Sequence, residues 1–111
     1  MARINEYRDY IQNILNKYSS YKSSYDDSEI QLIEDKERDH YQLVSVGWHG
    51  QQRIYGCILH IDLKGDKIWI QHDGTEIGIA NELLSLGVPK KDIVLGFHAP
   101  YKRKYTEFAV N

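Results

Sequence analysis

The chain has 111 residues, enough for one domain with a single hydrophobic core and too few for two. Its 41% hydrophobic and 27% charged residues are ordinary for a soluble protein, and a net charge of −2 provides no general positive field for holding nucleic acid by counterion release. The apolar runs fall well short of the ~20 residues of a membrane span, and the opening MARINEYRD lacks an apolar signal region, so a cytoplasmic protein without membrane contact is expected.

In chain order, Ile4, Tyr7, Ile11, Ile14, Leu15 and Tyr18 recur at three- and four-residue spacing, which predicts an amphipathic helix over roughly residues 3 to 19. The polar stretch SSYKSSYDDS then reads as a connecting loop in which Tyr21 and Tyr25 serve as anchors. A short strand from Glu29 to Glu34 and a second from His40 to Trp48 flank the charged turn Asp35 to Asp39. His49-Gly50 is taken as a two-residue hairpin loop, which sets Val46 opposite Arg53, Val44 opposite Tyr55 and Gln42 opposite Cys57.

The next strand, Arg53 to Leu63, alternates with Tyr55, Cys57, Leu59, Ile61 and Leu63 on one apolar face. Gly65-Asp66 fits a tight turn, so Leu63 should face Ile68, Ile61 Ile70, Asp62 Trp69 and His60 Gln71. Thr75 is a candidate N-cap for a second helix whose apolar side is Ile79, Ala80, Leu83 and Leu84, ended by Gly87 and Pro89. Asp92 to Phe97 reads as a short strand that joins the sheet, followed by a loop through Pro100 and an extended piece at Phe108 to Val110. The expected fold is α+β, a single domain over residues 1 to 111. An antiparallel meander of four to five strands carries the N-terminal helix and the second helix on one face.

The predicted registers place Val44, Val46, Tyr55, Leu59, Ile61, Leu63, Ile68 and Ile70 beneath the helices. The opposite face then carries Tyr41, Leu43, Ile54, Ile58 and Trp69, with His60, Asp62 and Gln71 towards one end. Two modest helices cover one face of such a sheet and little more, so these five residues are the candidate interface for a second copy or another protein. Lys102-Arg103-Lys104, set between Tyr101 and Tyr105, is the candidate nucleic-acid contact.

His60 and Asp62 point the same way on one strand, and His72-Asp73 begins the next loop, but no HExxH or paired CxxC accompanies them. No metal, cofactor or catalytic residue is therefore expected. Neither GxGxxG, a P-loop nor a GxSxG elbow occurs. The single cysteine, Cys57, reads as a small buried apolar residue in a reducing compartment.

Val46-Gly47-Trp48, Arg53-Ile54-Tyr55-Gly56-Cys57, Ile68-Trp69-Ile70-Gln71, Asp73-Gly74-Thr75-Glu76 and Asp92-Ile93-Val94-Leu95-Gly96-Phe97 together carry a family resemblance. From Tyr7 to Val110 the chain resembles the XisI family, the fdxN element excision controlling factor proteins of cyanobacteria. The resemblance implies a non-enzymatic accessory role in programmed DNA excision, beside a site-specific recombinase and with a companion, XisH. It brings no catalytic residues. The stretch His98-Ala99-Pro100-Tyr101 departs from the more Pro-rich tail expected of the family. The leading expectation is thus protein–protein binding to an XisH-like companion, with a homodimer using the same face. A direct DNA-binding factor that uses the basic cluster and a small enzyme of unknown chemistry are the alternatives.

Overall fold

The computed structural model describes residues 3–20 and 28–111. Tyr21 and Tyr25, expected as loop anchors, lie outside the described residues. Helix α1 (Ile4–Ser19) is followed by strands β1 (Glu29–Asp35), β2 (His40–His49), β3 (Gln52–Lys64) and β4 (Lys67–Asp73). Helix α2 (Ile79–Ser85), a 3-10 turn (Lys90–Asp92), strand β5 (Ile93–Leu95) and the short helix α3 (Pro100–Arg103) complete the chain. The sheet order is β1-β2-β3-β4-β5, with the first four strands antiparallel and β5 parallel to β4. That parallel pairing follows from connectivity, because α2 carries the chain back to the starting end of β4 before β5 begins. The extended tail piece shrinks to a bridge between Ala109 and Val94.

The α1 stripe buries Tyr7, Ile11, Ile14 and Leu15, as its spacing predicts. They join Tyr41, Leu43, Leu59, Ile61, Leu63, Ile68, Ile70, Ile79 and Leu83 in one core, so α1 and α2 share a single face of the sheet. Polar contacts fix the helices in place. Arg8 donates through Nε and Nη2 to the two carboxylate oxygens of Asp39 at 2.9 Å each, and the Tyr41 hydroxyl donates to the same carboxylate. Lys17 and the Tyr18 hydroxyl both reach Glu82 on α2.

Turn chemistry explains which registers the sequence predicts correctly. Gly65 has φ +63°, and the β3–β4 hairpin pairs Leu63 with Ile68, Asp62 with Trp69 and Ile61 with Ile70, as expected. Gly50 likewise has φ +61° and occupies the first central position of its own loop, Gly50-Gln51. Placing His49-Gly50 in that loop is therefore corrected: His49 pairs with Gln52, Val46 with Tyr55 and Val44 with Cys57, a slip of two residues.

Two β-bulges then set the faces. The β2–β3 register shifts between Leu43 and Val44, leaving Ile58 without an opposite residue. Tyr55 and Cys57 therefore point away from the helices, while Leu59, Ile61 and Leu63 point towards them; the single face expected for all five is corrected. The second bulge shifts the β3–β4 register beyond Ile61, so His60 pairs with His72 and not Gln71. It also turns Asp73 to the helix side, where its Oδ2 accepts the Ile79 N–H at 2.7 Å. Asp73, rather than Thr75, thus receives the first turn of α2, and the Thr75 hydroxyl donates to Asp73 Oδ1 at 2.6 Å. At the other end Gly87, with φ +95°, donates to Leu84 O and Val88 to Leu83 O, closing α2 as a Schellman motif.

Two predictions follow from these contacts. A Cβ on Gly74 would stand 2.9 Å from the backbone oxygen of Ile58, which already accepts the Gly74 N–H at 2.8 Å. Gly74→Ala should destabilise the fold by about 1–3 kcal/mol in denaturant titration; an unchanged midpoint would show that the bulge gives way freely.

Arg8 holds the Asp39 carboxyl below its ordinary range, with the Tyr41 hydrogen bond acting in the same direction. A carboxylate with a depressed folded pKa contributes stability that is fully present above its unfolded value, ~3.9, and lost as pH falls through the folded one. Arg8→Met should therefore lower stability at neutral pH and flatten the acid limb of a pH–stability curve. Parallel curves for the two proteins would contradict this assignment.

Candidate functional site: the uncovered sheet face

The two bulges divide the face away from the helices into an apolar half and a polar half. On the apolar half Val44, Val46, Trp48, Tyr55 and Cys57 point outward through the observed pairings, and Ile33, opposite Gln42, lies on the same face at the border with the polar half. Ile33 is 50% exposed, Trp48 49% and Tyr55 73%. The Arg53 guanidinium lies 5.3 Å from the Trp48 ring centre, a cation–π contact at the rim of this surface.

Of the five residues predicted for this face, the structure leaves only Trp69 there. Tyr41 and Leu43 are corrected to the covered side, where they are 2% and 0% exposed. Ile54 pairs with Gly47 on the helix side and is half-buried. Ile58, the bulge residue, packs against the core. Together with Tyr18, Ile30, Leu43 and residues 74–77 it lines a largely aliphatic cavity of about 350 Å³. The same shift brings Cys57 to the surface, correcting its expected burial, and partial desolvation pushes its thiol pKa up.

Trp69 is itself roofed by cations, with Lys64 Nζ 4.4 Å and the Arg103 guanidinium 5.3 Å from its ring centre. Arg103 also donates from Nε to His98 O at 3.1 Å and from its two terminal nitrogens to Val110 O and Gly96 O at 3.4 Å each. The middle member of the basic cluster is thus engaged in holding the tail against the sheet. Lys102 and Lys104 remain exposed beside the rings of Tyr101 and Tyr105.

The polar half is centred on Asp62, which is 7% exposed. Its Oδ1 meets His40 Nδ1 at 2.9 Å and His60 Nε2 at 3.0 Å, and its Oδ2 accepts from Gln71 Nε2 at 3.2 Å. Gln42 Nε2 stands 3.4 Å from the other ring nitrogen of His60. His60 and Asp62 were legible as a same-face pair, but His72 is exposed and outside this cluster. His40 is the member that sequence reasoning missed. The Gly-first turn rule, applied to Gly50 as it was to Gly65, brings His40 to within one residue of Asp62, and the bulge supplies that last residue.

The tail contacts yield a prediction. Arg103→Ala should cost about 1–2 kcal/mol in unfolding free energy and shift Trp69 emission to the red, since hydrogen bonds and the ring cover are lost together. Lys102→Ala and Lys104→Ala should stay within ~0.5 kcal/mol of wild type. Equal effects at the three positions would mean that Arg103 does not secure the tail.

The family model described as XisI protein matches residues 1–110. Among solved structures, a XisI-like protein from Anabaena variabilis is 47% identical, with 97% of this chain and 99% of that one covered and a TM-score of 0.91. The fdxN element excision controlling factor XisI from the same organism is 41% identical, with 98% and 99% covered and a TM-score of 0.85. No curated protein matches the chain. Among the described residues, no helix is long and apolar enough to cross a membrane.

Proposed function

The chain belongs to the XisI family, and from that premise we propose that it is a non-catalytic controlling factor of DNA-element excision that acts by binding another protein. The partner proposed is an XisH-like companion, seated on the apolar half of the uncovered sheet face. The observation that carries this reading is the exposure of Trp48 and Tyr55 together, beside Val46 and Cys57, on a face that neither α1 nor α2 covers. An aromatic and aliphatic centre bordered by polar groups is the anatomy of an association surface. Burying each large apolar side chain contributes roughly 1.5–3 kcal/mol, set against the entropy of association.

Direct DNA binding through the tail is the weaker reading. Arg103 is committed to three backbone carbonyls and to Trp69, which leaves Lys102 and Lys104 as the cluster's free-standing cations on a chain of net charge −2. A homodimer through the same sheet face is compatible with the proposal, since a two-fold axis joins identical patches.

The expected outcome is that Tyr55→Lys and Trp48→Lys each weaken binding of the purified companion at least tenfold by calorimetry, about 1.4 kcal/mol, with unchanged thermal midpoints. Light scattering of the isolated chain distinguishes a self-associated form that the same variants dissociate. Unaltered companion affinity in both variants would remove this face from consideration. Salt-sensitive duplex binding by the isolated protein, lost in a Lys102→Ala/Lys104→Ala double variant, would favour the DNA reading instead.

A further inference from the structure

We propose that His40, His60 and Asp62 form a binding site for a first-row divalent transition-metal ion of the zinc kind on the polar half of the uncovered face. The three side chains come from two adjacent strands and offer two imidazole nitrogens and a carboxylate oxygen, all within 4.8 Å of one another. Both imidazoles point at the same oxygen, Asp62 Oδ1, at 2.9 and 3.0 Å. Ligand atoms held ~2.1 Å from a common ion and roughly at right angles to each other stand about 3.0 Å apart. In the tetrahedral arrangement that zinc prefers the same edges are about 3.4 Å, so the two contacts to Oδ1 have to open by about 0.5 Å for an ion to take the place of the imidazole protons.

The charge balance at the site points the same way. Asp62 is the charged residue that is buried among the described residues, and its ion-pair partners there are His40 and His60, with no lysine or arginine. A carboxylate withdrawn from water requires opposing charge or a full set of donors. The two imidazoles and Gln71 supply donors, and a divalent ion in place of the imidazole protons supplies charge as well. Two imidazoles with one carboxylate favour zinc, cobalt or nickel over magnesium and calcium, which prefer all-oxygen shells.

The surroundings match a ligand set as well as a hydrogen-bonded one. Gln71 holds the distal oxygen of Asp62, which fixes the carboxylate plane. Gln42 stands at the far nitrogen of His60, where its amide, turned to present oxygen, accepts the proton that nitrogen carries once Nε2 binds metal. The His40 side chain is 56% exposed, so the ion has a path from solvent, and its remaining positions open outward to water or to a side chain of another protein.

The test uses the full chain, purified without a histidine tag and stripped of metal, titrated with zinc chloride and cobalt chloride. The expected result is one equivalent bound at micromolar affinity or better, with a raised thermal midpoint and visible cobalt absorption. His40→Ala and His60→Ala should each weaken binding at least tenfold, whereas His72→Ala and His98→Ala should leave it unchanged. Asp62→Asn should abolish it; if that variant fails to fold, His40→Ala, at an exposed position, decides alone. Binding weaker than millimolar, or stoichiometric binding that survives His40→Ala, overturns the proposal and leaves the three residues as a hydrogen-bonded cluster only.

Discussion

A single extra residue in β3 controls which side chains this protein buries. Strand geometry sends successive side chains to opposite faces, so an uninterrupted β3 would commit Tyr55, Cys57, Leu59, Ile61 and Leu63 to one side. The bulge at Ile58 breaks that parity, releasing Tyr55 and Cys57 to the open face while the three residues beyond it enter the core. The neighbouring strand follows, because Leu43 pairs with Leu59 and Tyr41 with Ile61. The bulge is held from the next segment by the Gly74 N–H on Ile58 O, an approach that tolerates no Cβ.

The second bulge performs the converse operation on β4 and links the sheet to its helices. It turns Asp73 under the start of α2, while Gln71 reaches Asp62 on the other face. The capping of a helix and the orientation of a buried carboxylate thus depend on one local insertion. From there α2 delivers the chain to β5, and the tail returns through Arg103 to cover Trp69.

The open face that results has two distinct chemistries. Its apolar half has the residue types of a protein contact and faces away from α1 and α2, whereas its polar half gathers histidines around a carboxylate nearly withdrawn from water. These halves adjoin on the same two strands, β2 and β3. A partner seated on one would lie beside the other, and a metal ion with open positions would be within reach of its side chains.

Local sequence pattern determined α1, α2, the strands and the β3–β4 turn, because each depends on residues close together in sequence, whereas the short helix α3 formed where a loop through Pro100 was expected. The α1 stripe, the Gly65 turn and the Gly87 helix end are all local decisions of this kind. The family was legible as well, since its motifs are short runs of residue types. Tertiary structure decided what crosses between strands: the slip of two residues at Gly50, the parity change at Ile58, the burial of Tyr41 and Leu43, and the exposure of Cys57. A bulge carries no residue signature here, because Ile58 is as good a strand former as its neighbours. What selects it is the gain from burying Leu59, Ile61 and Leu63 under α1 and α2 while Gly74 closes on the freed carbonyl. His40 reaches Asp62 for the same reason, across 22 residues of chain that no local pattern spans.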